Sequence, residues 1–286
     1  MMVAKHQILD RANNKPIVWD AYFKADAIEK SVVIFCHGYK GFKDWGAWDL
    51  VAETFSEQHL FFMKFNFSHN GGTVENPIDF PDLEAFAENN YTKELKDLDD
   101  VLNFLFSENF QFKNEINTKD ITLIGHSRGG GISIIKASED QRISKLITWA
   151  SVSDFGSRFG SNEDIIEWQK KGVKYVLNGR TKQQMPHKYQ FYEDYIQNKE
   201  RLSIKKAIDS ITIPQLIIHG LEDDAVAFSE AENLHSWNAD SELYKIDKAN
   251  HVFGASHPWE KKELPAKLNQ VTQKSIAFIK GTSLSN

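Results

Sequence analysis

Apolar residues fall in this chain at two spacings, and the alternation between them sets the expected architecture. Ser31-Val32-Val33-Ile34-Phe35-Cys36 and Leu60-Phe61-Phe62-Met63-Lys64-Phe65 are short, nearly continuous apolar runs, the pattern of strands covered on both faces. Ile121-Thr122-Leu123-Ile124, Lys145–Ala150, Gln215–His219 and Leu243–Ile246 repeat it. Elsewhere the step is three or four residues. Trp48, Val51, Ala52 and Phe55, then Tyr91, Leu95, Leu98, Leu102 and Leu105, each line one face of a helix. Further helices are expected over Ile132–Ala137, around Phe228–Trp237, and at the end, where Leu264, Leu268, Val271 and Phe278 share a face. Lys5–Leu9 and Ile17–Phe23, parted by Asn13-Asn14-Lys15, read as an opening hairpin. Alternation of this kind predicts an α/β fold, a mostly parallel sheet of eight strands flanked by helices on both faces. In such sheets the working residues sit in loops at the carboxyl ends of the strands.

The rhythm breaks once. About sixty residues separate the strand ending near Ala150 from the one starting near Ile213, far more than one crossover needs. Residues 154–206 are therefore expected to form a small helical cap inserted after the sixth strand, with residues 1–153 and 207–286 making the main body. From Phe155 to Lys205 the segment carries ten positive and six negative charges, against a net charge of −6 for the whole chain. Its aromatic residues can form a small core of their own and also roof a substrate pocket. Trp168, Tyr175, Tyr189 and Tyr192 are the candidates to touch substrate.

The chemistry concentrates where one strand runs into Gly125-His126-Ser127-Arg128-Gly129. A sharp strand-to-helix turn lifts the serine hydroxyl out of the backbone, and its tiny neighbours let strand and helix close against it. A serine nucleophile needs a base, and the base needs an orienting group. Of the ten histidines, His251 alone follows a strand by a short loop, and Asn250-His251-Val252-Phe253-Gly254 forms a compact turn to aim the ring. His126 sits inside the serine turn, pointing away, while His37 and His219 end strands before glycines and read as loop supports. For the carboxylate, Gly220-Leu221-Glu222-Asp223-Asp224 places three acids after a strand. Asp223 is the first choice, Asp154 the fallback, and Glu222 and Asp224 weaker candidates. The N–H groups of Arg128, at the helix start, and of Tyr39, after His37-Gly38, are the expected pair to bind an oxyanion. Cys36, in an apolar strand with no base beside it, reads as inert core.

Composition narrows the partners. At 286 residues, 41% hydrophobic and 26% charged, the chain can bury a full core. Net charge of −6 without a basic tract argues against nucleic acid. A single cysteine rules out an intrachain disulfide and a Cys-rich zinc site. Met1 to Asp10 is polar, with no apolar core and cleavage site, so a signal peptide is not expected. No apolar run approaches the roughly 20 residues of a membrane helix. The expectation is a cytoplasmic protein, monomer or homodimer, bound to neither membrane nor nucleic acid. The glycines after Arg128 lack the Lys-Ser/Thr ending of a phosphate-binding loop, so nucleotide chemistry is not indicated.

Taken together, His37-Gly38-Tyr39, Gly125-His126-Ser127-Arg128-Gly129-Gly130, His219-Gly220-x-x-Asp223-x-x-Val226 and Asn250-His251 resemble the α/β-hydrolase superfamily over nearly the whole chain, including the order Ser127, Asp223, His251. The similarity is to its dienelactone-hydrolase-like and cinnamoyl- or feruloyl-esterase-like branch, whose members carry a short cap insertion after the sixth strand. The resemblance implies a small-molecule carboxylic-ester substrate, an acyl-enzyme on a Ser-His-Asp triad, and neither cofactor nor metal. The chain departs from the pattern at Ala227, where a proline often stands, and at Arg128, where Gln, Met or Leu is commoner. Arg128 either favours an anionic substrate group or pairs with a nearby acid, and pairing is the stronger expectation. Peptidase or amidase action of the prolyl-oligopeptidase type and a ligand-binding pseudo-hydrolase are the alternatives.

Overall fold

The apolar runs become the interior strands of one sheet. The computed structural model describes residues 1–282. In chain order, β1 (Met2–Leu9) and β2 (Ile17–Phe23) form the opening hairpin, and β3 (Lys30–Cys36), α1 (Trp48–Glu57) and β4 (Phe61–Phe65) follow. Next, α2 (Leu83–Ala87) and α3 (Tyr91–Leu105) lead to β5 (Ile116–His126), α4 (Arg128–Glu139) and β6 (Ile143–Trp149). The insert holds α5 (Asn162–Lys171), β7 (Val173–Leu177), β8 (Gln184–Lys188) and α6 (Gln190–Gln197). The chain closes with α7 (Ile204–Asp209), β9 (Gln215–Gly220), α8 (Phe228–Trp237), β10 (Glu242–Ile246) and α9 (Ala266–Lys280).

Eight strands form a sheet in the order β1-β2-β4-β3-β5-β6-β9-β10, parallel from β4 to β10 and antiparallel at the β1 edge. Side chains alternate across it with the two-residue period of a strand. Val32, Ile34 and Cys36 of β3 join Leu95, Leu98 and Leu102 of α3 and Ile132 and Ile135 of α4. Val33 and Phe35 point the other way, onto Val51 and Phe55 of α1 and Leu268 and Val271 of α9. From β3 the chain crosses to β4 on one side, and β5 then returns on the other side. Their carboxyl ends thus open a crevice at the reversal. The loops bearing Tyr39 and Ser127 face each other there.

The insert is not wholly helical. A two-stranded hairpin, β7 with β8, stands between its helices. Val173-Lys174-Tyr175-Val176-Leu177 has the β-branched and aromatic content of a strand, and Gly172, left-handed at φ 72°, stops α5 just before it. The hairpin lies on α2, with Met185 among Phe42, Phe80 and Phe86 and Lys188 paired with Glu88 at 2.5 Å. The expected boundary at 206 cuts through α7. Ile204 and Ile208 of that helix lie in the apolar cluster that holds Ile132 and Ile135 of α4.

One buried ion cluster anchors the loop after β3. Lys43 Nζ lies 2.8 Å from Asp20 and 2.6 Å from Asp44, and Lys64 Nζ lies 2.8 Å from Asp20 and 2.6 Å from Asp49. Tyr22 donates its hydroxyl hydrogen to Asp49 at 2.9 Å. Burial pushes the Asp20 carboxyl upward, but the Lys64 and Lys43 ammoniums outweigh it and hold its pKa at about 2. Replacing one partner of a buried pair strands the other's charge. Lys64→Met is expected to cost about 3–5 kcal/mol, read as a lowered urea midpoint; an unchanged midpoint would show the cluster to be dispensable.

Candidate active site

Ser127 stands at the turn from β5 into α4 with φ 58° and ψ −121°. A non-glycine residue held there stores about 1–3 kcal/mol of strain. The surroundings enforce it: Ser127 N–H donates to Trp149 O at 2.9 Å, and Ser127 O accepts from Gly130 N at 3.0 Å and Val152 N at 3.3 Å. A side chain at Gly129 would collide with the backbone of Cys36 and His37. A Cβ at Gly38 would sit 2.8 Å from the Cβ of Ser127, so only glycine lets the loop after β3 come this close.

That loop is shaped by His37, whose Nδ1–H donates to Gly38 O at 2.9 Å while Nε2 accepts from Phe67 N at 3.2 Å. Burial lowers its pKa to about 4, so the ring stays neutral at physiological pH. Among the described residues, neither the Tyr39 N–H nor the Arg128 N–H donates a hydrogen bond within the chain. Arg128 opens α4, where a free N–H also carries the partial positive charge of a helix start.

His251 lies in the turn after β10, closed by Phe253 N to Asn250 O at 3.0 Å and Gly254 N to Asn250 Oδ1 at 2.9 Å. Its Nδ1 is 2.8 Å from Asp223 Oδ2. Asp223 Oδ1 accepts from Ala225 N at 2.9 Å and Val226 N at 2.8 Å. A second ring attends the same carboxylate: His219 Nε2 lies 3.3 Å from Asp223 Oδ2 and 2.8 Å from Val226 O. Burial drives the Asp223 pKa up, but the hydrogen bonds from His219 and His251 prevail and hold it below the usual carboxylate range. An ionised carboxylate can only accept, so His251 carries its proton on Nδ1 and leaves the Nε2 lone pair free.

Ser127 and His251 open onto one cavity of about 480 Å³, walled by Tyr39, Tyr91, Phe155, Phe159 and Phe191. No direct hydrogen bond joins the Ser127 hydroxyl to His251 among the described residues; such contacts often tighten only in the substrate complex. Beneath His251 lies His126. Its Nε2–H donates to His251 O at 2.9 Å and its ring centre is 4.8 Å from that of His251. Burial, then the charge of His251, lowers the His126 pKa to about 3 and keeps it a neutral prop.

The structure also locates the other candidates. Asp154 accepts from Gly156 N at 3.0 Å and Ser157 N at 2.8 Å, capping a short turn, and among the described residues no hydrogen bond joins it to His251. Glu222 and Asp224 are exposed. Cys36 is buried, and burial pushes its thiol up to about 12. Arg128 pairs with Glu94 at 3.4 Å and lies 4.4 Å above the Tyr39 ring. Asp20, Asp44 and Asp49 come within metal-binding reach of one another, but the Lys43 and Lys64 ammoniums already occupy their oxygens.

No protein-family model matches the sequence, and no curated protein does. Solved structures do match, over nearly the full length. Est1E from Butyrivibrio proteoclasticus, with ferulic acid bound, is similar over 96% of this chain and 98% of its own, at TM-score 0.72 and 20% identity. GrgF, an α/β hydrolase from Penicillium sp. sh18, is similar over 98% and 99%, at TM-score 0.70 and 14% identity. Alpha/beta hydrolase domain-containing protein 10 from mouse is similar over 97% and 99%, at TM-score 0.66 and 18% identity. This chain has the α/β-hydrolase fold.

Within that α/β-hydrolase fold, the aromatic residues expected to touch substrate lie outside the Ser127 cavity. None of Trp168, Tyr175, Tyr189 and Tyr192 lines the Ser127 cavity. Trp168 is buried in the cap, its Nε1 donating to His187 O at 2.8 Å and its ring centre 5.7 Å from that of Tyr189. Tyr189 and Tyr192 pack beside one another, and Tyr175 is mostly exposed. The cavity instead takes Phe155, Phe159 and Phe191 from the insert and Tyr91 from α3. Phe191 is one residue from Tyr192, and helical phase decides which of the two faces inward. No membrane-length apolar helix occurs among the described residues.

The carboxylate makes a pH-dependent contribution to stability. Its folded pKa lies below the ordinary 3.8, so the contribution is full above that value and is lost as pH falls through the folded pKa. Asp223→Asn is expected to lower stability by roughly 1.5–3 kcal/mol at neutral pH, with the gap from the unsubstituted protein narrowing toward pH 3. Urea unfolding at the two pH values measures it, and a pH-independent gap would contradict the assignment.

Proposed function

We propose that this protein is a serine hydrolase of carboxylic esters, with Ser127 as nucleophile, His251 as general base and Asp223 as its orienting acid. The observation that carries the reading is the 2.8 Å bond between His251 Nδ1 and Asp223 Oδ2, with His251 and Ser127 on one cavity wall. Ser127 Oγ attacks the ester carbonyl carbon while His251 Nε2 takes its proton. Asp223 steadies the imidazolium, and the free N–H groups of Tyr39 and Arg128 receive the oxyanion. Collapse breaks the bond to the leaving oxygen, which takes the proton from His251, and leaves an acyl group on Ser127. A water molecule, deprotonated by the same imidazole, then releases the acid and restores the hydroxyl.

Aromatic walls suit an apolar or aryl acyl group, in keeping with the ferulic acid held by the similarly folded Est1E. Ser127→Ala is expected to lower turnover of p-nitrophenyl acetate at least about a thousandfold, with an unchanged circular dichroism spectrum. A fluorophosphonate should label the unsubstituted protein and not Ser127→Ala. Undiminished turnover in Ser127→Ala would remove that residue from the mechanism, and failure to label the unsubstituted protein would favour a binding module.

A further inference from the structure

The charged side chains that line the Ser127 cavity are of one sign. Lys40, Arg128, Arg158 and Lys174 face it, and among the described residues no aspartate or glutamate does, in a chain of net charge −6. Arg158 is matched by an ion pair with Glu230. Arg128 has Glu94 at 3.4 Å, a single long contact for a guanidinium with five donors, and Glu94 Oε2 has no partner. Lys40 and Lys174 form no ion pair among the described residues. Lys174 Nζ lies 3.8 Å from the centre of the Trp168 ring and 3.3 Å from Phe159 O, and Lys40 Nζ lies 5.0 Å from the centre of the Tyr39 ring.

These cations surround one bridge. Tyr39 OH and His187 Nε2 are 2.7 Å apart, joining the loop after β3 to the cap. Lys40 follows Tyr39 in sequence, and Lys174 is the cross-strand partner of His187. Burial, then the charges of Arg128, Lys174 and Lys40, lower the His187 pKa to about 3, so all three cations act on the same spot. The half-buried Lys174 ammonium feels the Asp164 carboxylate only from beyond ion-pair range; half-buried ammoniums so weakly countered are costly, and cation–π contact recovers only part of that cost. An incoming anion would offset it.

Resting on the ester-hydrolase reading, we propose that the substrates are esters bearing an anionic group, a carboxylate on an apolar chain, received beside the Tyr39–His187 bridge by Lys40, Lys174 and Arg128. The aromatic walls hold the chain between the carboxylate and the ester carbonyl at Ser127.

The test compares p-nitrophenyl hydrogen glutarate with p-nitrophenyl pentanoate, esters of equal acyl length that differ in terminal charge. The anionic ester is expected to have the higher kcat/KM by about tenfold at low salt, with the ratio shrinking as salt screens the cations. Lys40→Met and Lys174→Met should each reduce that ratio several-fold. A ratio at or below one, unmoved by either substitution, overturns the proposal. Binding to Ser127→Ala, measured by calorimetry with 4-phenylbutyrate against 4-phenylbutyramide, reads the charge preference without turnover. Tighter binding of the carboxylate with no cleavage of either ester would sink the hydrolase reading and leave the anion seat standing, whereas equal binding of acid and amide would sink the anion seat.

Discussion

One carboxylate ties the site together. Asp223 folds its own loop through Oδ1, which accepts from Ala225 N and Val226 N, and reaches across the sheet edge through Oδ2 to His251. That second bond selects the tautomer of His251, and with it which nitrogen can take a proton from a substrate or a serine. The His219 ring, buried at the end of β9, adds a second contact to the same oxygen and fixes the carboxylate's rotation. The loops after β9 and β10 are therefore held as one unit. His126 joins the loop after β5 to them through His251 O.

The strain at Ser127 is sustained by the same economy of space. Its left-handed backbone is pinned by neighbours on β6 and α4, and by a loop after β3 that approaches only because Gly38 has no side chain. That loop is anchored from below by Lys43 and Asp44 in the buried ion cluster, and from above by the contact between Tyr39 and His187. The cap is thus more than a roof. Trp168 holds His187 through its carbonyl, and the same hairpin presents Lys174 to the cavity, so the cap's core and the cavity's charge are set by one element.

Much of this was legible in the chain. Interior parallel strands must be apolar on both faces, so β3, β4, β6 and β9 announce themselves as runs, and the serine turn is marked by glycines that sterics demand. The meeting of Asp223 with His251 was legible for the same reason, since both residues sit just past strands whose order the alternation implies. The lining of the cavity was not. Tyr189, Phe191 and Tyr192 are close in sequence, and only the phase of α6 against the body sends Phe191 inward. The prop at His126 had no local signal, because it depends on two loops 125 residues apart meeting at one carbonyl. The β7–β8 hairpin was hidden because Gln184-Met185-Pro186-His187-Lys188 is largely polar and becomes a strand only by lying against α2.

The function proposed for Ser127 requires these converging loops to act on one reacting atom. A crystal structure of the protein after reaction with a fluorophosphonate tests this most directly. Phosphorus should be bonded to Ser127 Oγ, with its oxygen about 2.7–3.1 Å from both the Tyr39 and Arg128 nitrogens and His251 Nε2 against the remaining ester oxygen. An adduct on another residue, or one on Ser127 whose oxygen turns away from both N–H groups while His251 stays out of reach, would contradict it.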